Sequence, residues 1–461
     1  MSLDACMMSR LVEVSLILGV GFAVLAFGGT EAPTFALVQI LFFGVAALVL
    51  ARGPASFLKF TTPWALAIPA MLTVVVLLQL CPLPSSLVQR LTGREDSIPW
   101  ANSHLSVDPF SSRVHTLIFL SCLVAFYFAQ IVCKGRNRTK RLIAAFLILG
   151  TFEALYGSVQ YLGGWQKIFF YAKQFDLEEA SGTYINRNHY AGMLEMILPF
   201  SVALLFFEYG KLRRTGSATA IVIKQLLTRQ TLQKFVLCLS IAVVLFAGLL
   251  FSRSRMGIVA GSASLLVIFA LAGVSRFQGR MGILLSVLFV AISICLAIWI
   301  GPGPIVERFA DVQQEFSKSE QSRLSIWRDA RILVRQAPIF GTGLGTFPVT
   351  YTAVQTTFPG QFVNHAHNDY LELAIDLGLP AALILFAVIF LILARAVRTF
   401  LSASALFDRS VALGCAGSIV AILLHSLADF NLYIPANAVL FSTILGMALR
   451  PQESTVMGKA S

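Results

Sequence analysis

Charged side chains are scarce in this chain. Asp, Glu, Lys and Arg make up 13% of its 461 residues. A soluble domain carries about twice that share, which excludes a water-soluble globular protein. Cysteine offers no scaffold either. The seven cysteines (Cys6, Cys81, Cys122, Cys133, Cys238, Cys295, Cys415) are odd in number and lack metal-ligand spacing. They read as small apolar residues in helices. A Gly-rich nucleotide loop and a nucleophile elbow are both missing, which excludes the chemistry that depends on them. Acidic residues number 23 against 35 basic ones, a net charge of +12. No basic, aromatic-bearing domain stands outside the apolar runs, so nucleic acid is not an expected partner.

Apolar sequence fills the space. Hydrophobic residues are 57% of the chain. Runs of about 17–25 apolar residues recur along it, the signature of membrane-spanning helices. The expected fold is all-α: a polytopic transmembrane helical bundle of about 12 spans. They are placed near 11–29, 34–51, 64–81, 114–133, 141–162, 186–207, 235–251, 257–273, 282–300, 371–394, 410–427 and 432–449. Lysine and arginine concentrate in alternate loops, and Lys134-Gly135-Arg136-Asn137-Arg138-Thr139-Lys140-Arg141 alone carries five. The positive-inside rule then puts both ends in the cytoplasm. Residues 1–185 read as N-terminal transmembrane helices and 186–450 as the catalytic transmembrane region. The latter includes a large outer loop, 301–370, and a cytoplasmic tail, 451–461, follows.

Against this apolar background, polar residues gather at the outer ends of the spans. The densest segment is Asn364-His365-Ala366-His367-Asn368-Asp369-Tyr370-Leu371-Glu372. Titratable density beside lipid is costly and marks function. A helix starting near Asp369 would carry Asp369, Glu372 and Asp376 on one face. A carboxylate beside His365 or His367 would raise its basicity, as suits a general base. The alternative is structural: Asn368 or Asp369 caps the helix and Glu372 completes a capping box. A zinc site lacks a matched third ligand beside His365 and His367, so no metal and no cofactor is expected. Arg253 and Arg255 sit in a short outer turn. They either snorkel to headgroups or hold an anion. Within Ser322–Ala337, helical periodicity puts Arg328, Arg331 and Arg335 on a basic stripe. Arg323 falls on the apolar face with Trp327, Ala330 and Val334. This amphipathic helix is expected to lie flat on the membrane surface, with Arg323 paired to a carboxylate or to a substrate phosphate. Asn186, Arg187 and His189, in Gly182-Thr183-Tyr184-Ile185-Asn186-Arg187-Asn188-His189-Tyr190, line either a polar cavity or a packed loop. His425 and Asp429, four residues apart, are positioned to pair. Glu153 and Glu195 face the bundle interior without an assigned role.

Arginines for phosphate and a histidine for proton removal suit transfer from a lipid-linked sugar pyrophosphate to a hydroxyl. The chain also resembles the O-antigen ligase and polymerase superfamily of bacterial membrane glycosyltransferases, most specifically over residues 182–447. His367-Asn368, followed by nine residues and Gly378, matches the ligase pattern, although Ala381 departs from its last position. Arg255 with Val259, and Pro338 to Gly341 after Arg323, match further elements. The resemblance implies an inner-membrane glycosyltransferase with its site on the periplasmic face. It would take an undecaprenyl-pyrophosphate-linked glycan donor and a lipid A core or glycan acceptor, among membrane lipids. Arg255 and Arg323 would hold the pyrophosphate and His367 would activate the acceptor, with inversion at the anomeric carbon. Arg253, His365, Asn368, Asp369, Glu372, Asn186, Arg187 and His189 would contribute to substrate binding. A ligase is favoured over a polymerase. A transporter of the same lipid-linked glycan is the rival, but transporters place polar sites at mid-bilayer between repeated halves, and no such repeat is present.

Overall fold

The computed structural model describes residues 3–54, 57, 64–92, 103–214, 229–274, 321–356 and 362–451. The described residues are almost entirely helical. The helices are α1 (Leu3–Leu25), α2 (Ala32–Arg52), α3 (Trp64–Leu80), α4 (Ser85–Thr92), α5 (Pro109–Val132), α6 (Arg136–Gly163), α7 (Arg187–Arg214), α8 (Arg229–Phe251), α9 (Arg255–Val274), α10 (Gln321–Gln336), α11 (Phe347–Tyr351), α12 (Asp369–Leu377), α13 (Leu379–Ser402), α14 (Leu406–His425) and α15 (Pro435–Ala448). A two-residue hairpin pairs Lys167–Ile168 with Tyr171–Ala172.

Among the described residues, nine helices are long and apolar enough to cross a membrane: α1, α2, α5, α6, α7, α8, α9, α13 and α14. Pro69–Leu80 and Pro435–Ala448 are apolar but shorter. The span expected at 282–300, and the parts of the outer loop at 301–320 and 357–361, lie outside the described residues. One expected span is differently built. The run placed at 371–394 is two helices, α12 and α13, broken at Gly378. Gly378 has φ +82°, and a Cβ there would meet the Ile339 carbonyl oxygen at 2.2 Å. Only glycine takes this conformation cheaply. Gly341, at φ +67°, lies against the same junction, and its own Cβ would meet the amide of Gly378 at 2.5 Å. The two glycines let the segment after α10 cross the α12–α13 corner at backbone contact.

Helices α7 and α14 form the centre. Their most apolar windows are 94% and 89% buried. They pack on each other, and α8, α9 and α13 surround them. Ser418 Oγ donates to the Met196 carbonyl at 2.5 Å, and Ser264 Oγ to the Gly417 carbonyl at 2.8 Å. Such bonds join helices where apolar contact alone gives little selectivity.

The amphipathic helix α10 differs from expectation in what covers it. Ile326, Ala330 and Leu333 pack against Phe347, Tyr351, Ala366 and Ile375 of the same chain. Protein, rather than lipid, buries the stripe. Asp329 interrupts the stripe and is itself buried, accepting bonds from the backbone N–H and hydroxyl of Thr356 at 2.9 and 2.8 Å. Arg328, Arg331 and Arg335 are exposed, as a solvated face requires.

Candidate active site at the polar end of the bundle

The start of α12 sets the site. Asn368 caps it, accepting from the Leu371 N–H at 3.0 Å and donating from Nδ2 to the Leu427 carbonyl. Glu372 does not complete a capping box. Its carboxylate turns back to His365 Nδ1 at 2.7 Å and to the Ala366 N–H at 2.7 Å. Asp369, fully buried, accepts from Ser426 Oγ at 2.6 Å and from the Leu432 N–H. Asp376 accepts from Tyr433 Oη at 2.8 Å and from the Gly345 N–H. The three carboxyls on one helix face therefore clamp three different segments.

Burial governs their protonation. Glu372 is pushed up to about 8, chiefly by burial, against the favourable Ala366 bond. Burial pulls His365 down to about 4, against the opposing charge of Asp429. Folded Glu372 holds its proton more tightly than an unfolded glutamate. Its contribution to stability is therefore complete below 4.5 and disappears as pH rises through about 8. For His365 the sign reverses: the contribution is complete above 6.5 and is lost as pH falls through about 4. Between 6.5 and about 8, only Glu372 of the pair still titrates. Glu372→Gln fixes the neutral form. We expect it to flatten the fall in melting temperature across that window, measured against wild type in detergent. Equal slopes for the two proteins would sink this assignment.

The histidines converge on residues 429 and 430. Asp429 Oδ1 lies 3.7 Å from His367 Nδ1 and 3.9 Å from His189 Nε2, and Oδ2 lies 3.9 Å from His425 Nε2. The Phe430 ring stacks on His365 at 3.9 Å and meets His189 at 4.7 Å and His367 at 5.0 Å, both edge-on. Four of the six histidines thus share one aspartate–phenylalanine hub. Burial pushes Asp429 up, but the nearby imidazoles outweigh it and hold the carboxyl below its ordinary range. His425 also bonds to Glu195 at 3.0 Å, joining α14 to α7. His367 has φ +51°. This left-handed conformation is uncommon for a residue with a side chain. Its imidazole stays one-third exposed while its Nδ1 faces Asp429.

Two of the polar motifs form ordered turns at this end. Ser252 and Ser254 are buried and bond the turn together: Ser254 N–H donates to Ser252 Oγ, and Gly257 N–H to Ser254 Oγ as a cap of α9. This alternation puts Arg253 and Arg255 at half-buried positions. Arg253 has φ +52° and lies near Glu178 and Glu179. Asn186 caps α7 through the Asn188 N–H at 2.7 Å. Arg187 ion-pairs with Glu179 and lies 3.6 Å from Asp176. Asn186 and Arg187 thus hold the loop that delivers His189. Glu153 fixes that loop from below, accepting from the Thr183 N–H and hydroxyl at 2.8 and 2.7 Å.

Arg323 is half-buried in the first turn of α10. It precedes Trp327 by one helical turn, and the Trp327 indole donates to the Ala366 carbonyl at 2.8 Å, between the two histidines. Among the described residues no carboxylate pairs with it. Sequence reasoning passed over Phe430 and the central place of Asp429. The only local signal was the four-residue spacing of His425 and Asp429. The described residues contain no cluster of three or more His, Cys, Asp or Glu side chains fit to hold a metal ion.

A bundle of membrane-crossing helices with a histidine- and arginine-bearing mouth defines a multi-pass membrane protein with a polar site at one end. The family model for O-Antigen ligase matches residues 240–386. That stretch carries the domain of the O-antigen ligase superfamily, as the resemblance in the sequence implies. It spans Arg253, Arg255, Arg323, His365, His367 and Gly378. The match supports a membrane enzyme of the O-antigen ligase or polymerase type, a family that implies lipid-linked glycan and acceptor substrates. No curated protein matches the chain.

Proposed function

We propose that this protein transfers a glycan from an undecaprenyl-pyrophosphate donor to an acceptor hydroxyl at the periplasmic face of the bacterial inner membrane. The acceptor is lipid A core, as for a ligase. The observation that carries the reading is His367, held in a left-handed backbone conformation with Nδ1 toward a buried aspartate and its ring one-third exposed. With Nδ1–H turned to Asp429, the Nε2 lone pair is the base. It removes the acceptor hydroxyl proton as that oxygen bonds to the anomeric carbon from the side opposite the leaving group. The bond from the anomeric carbon to the pyrophosphate oxygen breaks, the configuration inverts, and undecaprenyl pyrophosphate departs. Arg323 and Arg255 stabilise the charge that develops on it. Asp369, Glu372 and Asn368 hold the histidine segment in place.

The test is transfer by purified protein from an undecaprenyl-pyrophosphate glycan in the presence of EDTA. Lipid A core and a second lipid-linked repeat unit are offered as separate acceptors. Label on lipid A core supports a ligase that needs no divalent metal, whereas lengthened lipid-linked chains establish a polymerase. Failure of both transfers, in wild type and His367→Ala alike and with donor binding intact, points to a different acceptor or to the transporter.

Asp429 acts through His367. Asp429→Asn keeps the size and the Phe430 N–H contact but removes the charge that fixes the tautomer and favours the imidazolium. Turnover should fall by roughly 100-fold or more, with donor KM nearly unchanged. A variant that loses donor binding and turnover together would show a purely structural role.

A further inference from the structure

An apolar cleft, open on one side, lies between α3, α5, α12, α13 and α15. His115, Cys122, Leu385, Ile392, Ala438 and Phe441 are among the lining residues. On α5 the lining runs from His115 to Phe126, a depth of about 16 Å at ~1.5 Å per residue. That is roughly half of a ~30 Å hydrocarbon core, or one leaflet.

One end of the cleft reaches the histidine hub. Tyr433 lines it, and the Tyr433 ring lies 6.3 Å from His115 and 5.6 Å from His365. A run of ring contacts thus leads from His115 through Tyr433, His365 and Phe430 to His189. Arg187 lies two residues before His189, and Glu179 links it to Arg253. Contacts through Glu179 and Arg187 thus join the arginine turn to the His189 end of this run.

We propose that the cleft holds an acyl chain of the acceptor lipid and presents its hydroxyl to the histidines. The inference rests on the transfer reading above. An acyl chain reaches across one leaflet, as this cleft does, whereas an undecaprenyl chain is far longer. The depth and the position beside His365 both favour the acceptor over the donor.

The experiment uses the full chain in nanodiscs with two photoreactive probes: lipid A bearing a diazirine on one acyl chain, and a diazirine-bearing polyprenyl pyrophosphate. Expected is labelling of α5 and α15 peptides by the lipid A probe, competed by unlabelled lipid A, in wild type and in His367→Ala alike. Ala438→Phe, which fills the cleft, should weaken this labelling and raise the KM for acylated acceptor roughly tenfold. The KM for donor should stay unchanged. Labelling of these peptides by the polyprenyl probe alone, or by neither probe, would overturn the proposal. Binding and transfer separate the two readings. Competed cleft label without transfer overturns the chemistry and keeps the site. Transfer to lipid A core without cleft label overturns the site and keeps the chemistry.

Discussion

His367→Ala should abolish glycan transfer and leave the bundle folded and inserted. The general-base contribution is typically about 10² to 10⁴ in rate, and transfer near the detection limit would be lost. Folding should survive because His367 ties down little. Its Nδ1 stands 3.7 Å from Asp429, beyond a hydrogen bond, and its ring is one-third exposed. His365 makes the contrast. It is bonded to Glu372 at 2.7 Å, stacked on Phe430 at 3.9 Å and pulled down to about 4 by burial. His365→Ala should therefore cost stability as well as rate. The measurement is transfer from the undecaprenyl-pyrophosphate donor, alongside size-exclusion behaviour and melting temperature for each variant. Normal transfer by His367→Ala would remove its role as base. Loss of the folded peak would show that the histidine is structural.

Much of this end of the molecule was legible because its signals are local. The helix start after Asn368, the stripe on α10 and the break at Gly341-Thr342-Gly343-Leu344-Gly345 all follow from spacing within one or two turns. Helical periodicity alone put Arg323 on the Trp327 face and the other arginines of α10 in solvent. Hidden were the contacts between segments distant along the chain. Asp429 gathers His189 and His367 from two distant parts of it, beside its own neighbour His425, whose four-residue spacing was legible. Nothing in the period of any single helix announces that meeting. The three acidic residues of α12 share a face as expected, yet each meets a different partner, because the segments around 345, 365 and 426–433 wrap the helix from several directions. The stripe on α10 showed that something apolar covers it. Periodicity does not distinguish lipid from protein, and here residues 347–375 supply the cover. The break at Gly378 was masked by the continuous apolar run of 371–394. Its cause is a backbone crossing with Gly341, some thirty-seven residues earlier, rather than any polar residue.

Arg323→Lys should also be severely impaired, while Arg331→Lys and Arg335→Lys remain close to wild type. All three arginines belong to α10, so helix propensity and net charge change equally little among these variants. What separates them is the face. Arg331 and Arg335 are exposed, and a surface cation there binds little that is specific. Arg323 is half-buried and, among the described residues, without a carboxylate partner. A half-buried cation in that position is stabilised by an anion beside it. A planar guanidinium offers a pyrophosphate two parallel hydrogen bonds, whereas an ammonium offers a point charge. Because the charge on the leaving pyrophosphate grows as the glycosidic bond breaks, kcat should fall more than donor affinity. A loss of one charge-assisted hydrogen bond, about 1.5–3 kcal/mol, corresponds to roughly a 10- to 100-fold drop. Steady-state transfer rates at saturating acceptor, with donor concentration varied, separate the two effects. If lysine serves as well as arginine at 323, the bidentate phosphate contact is wrong. If all three variants fall together, the basic stripe acts as a whole, through its field rather than through one placed guanidinium.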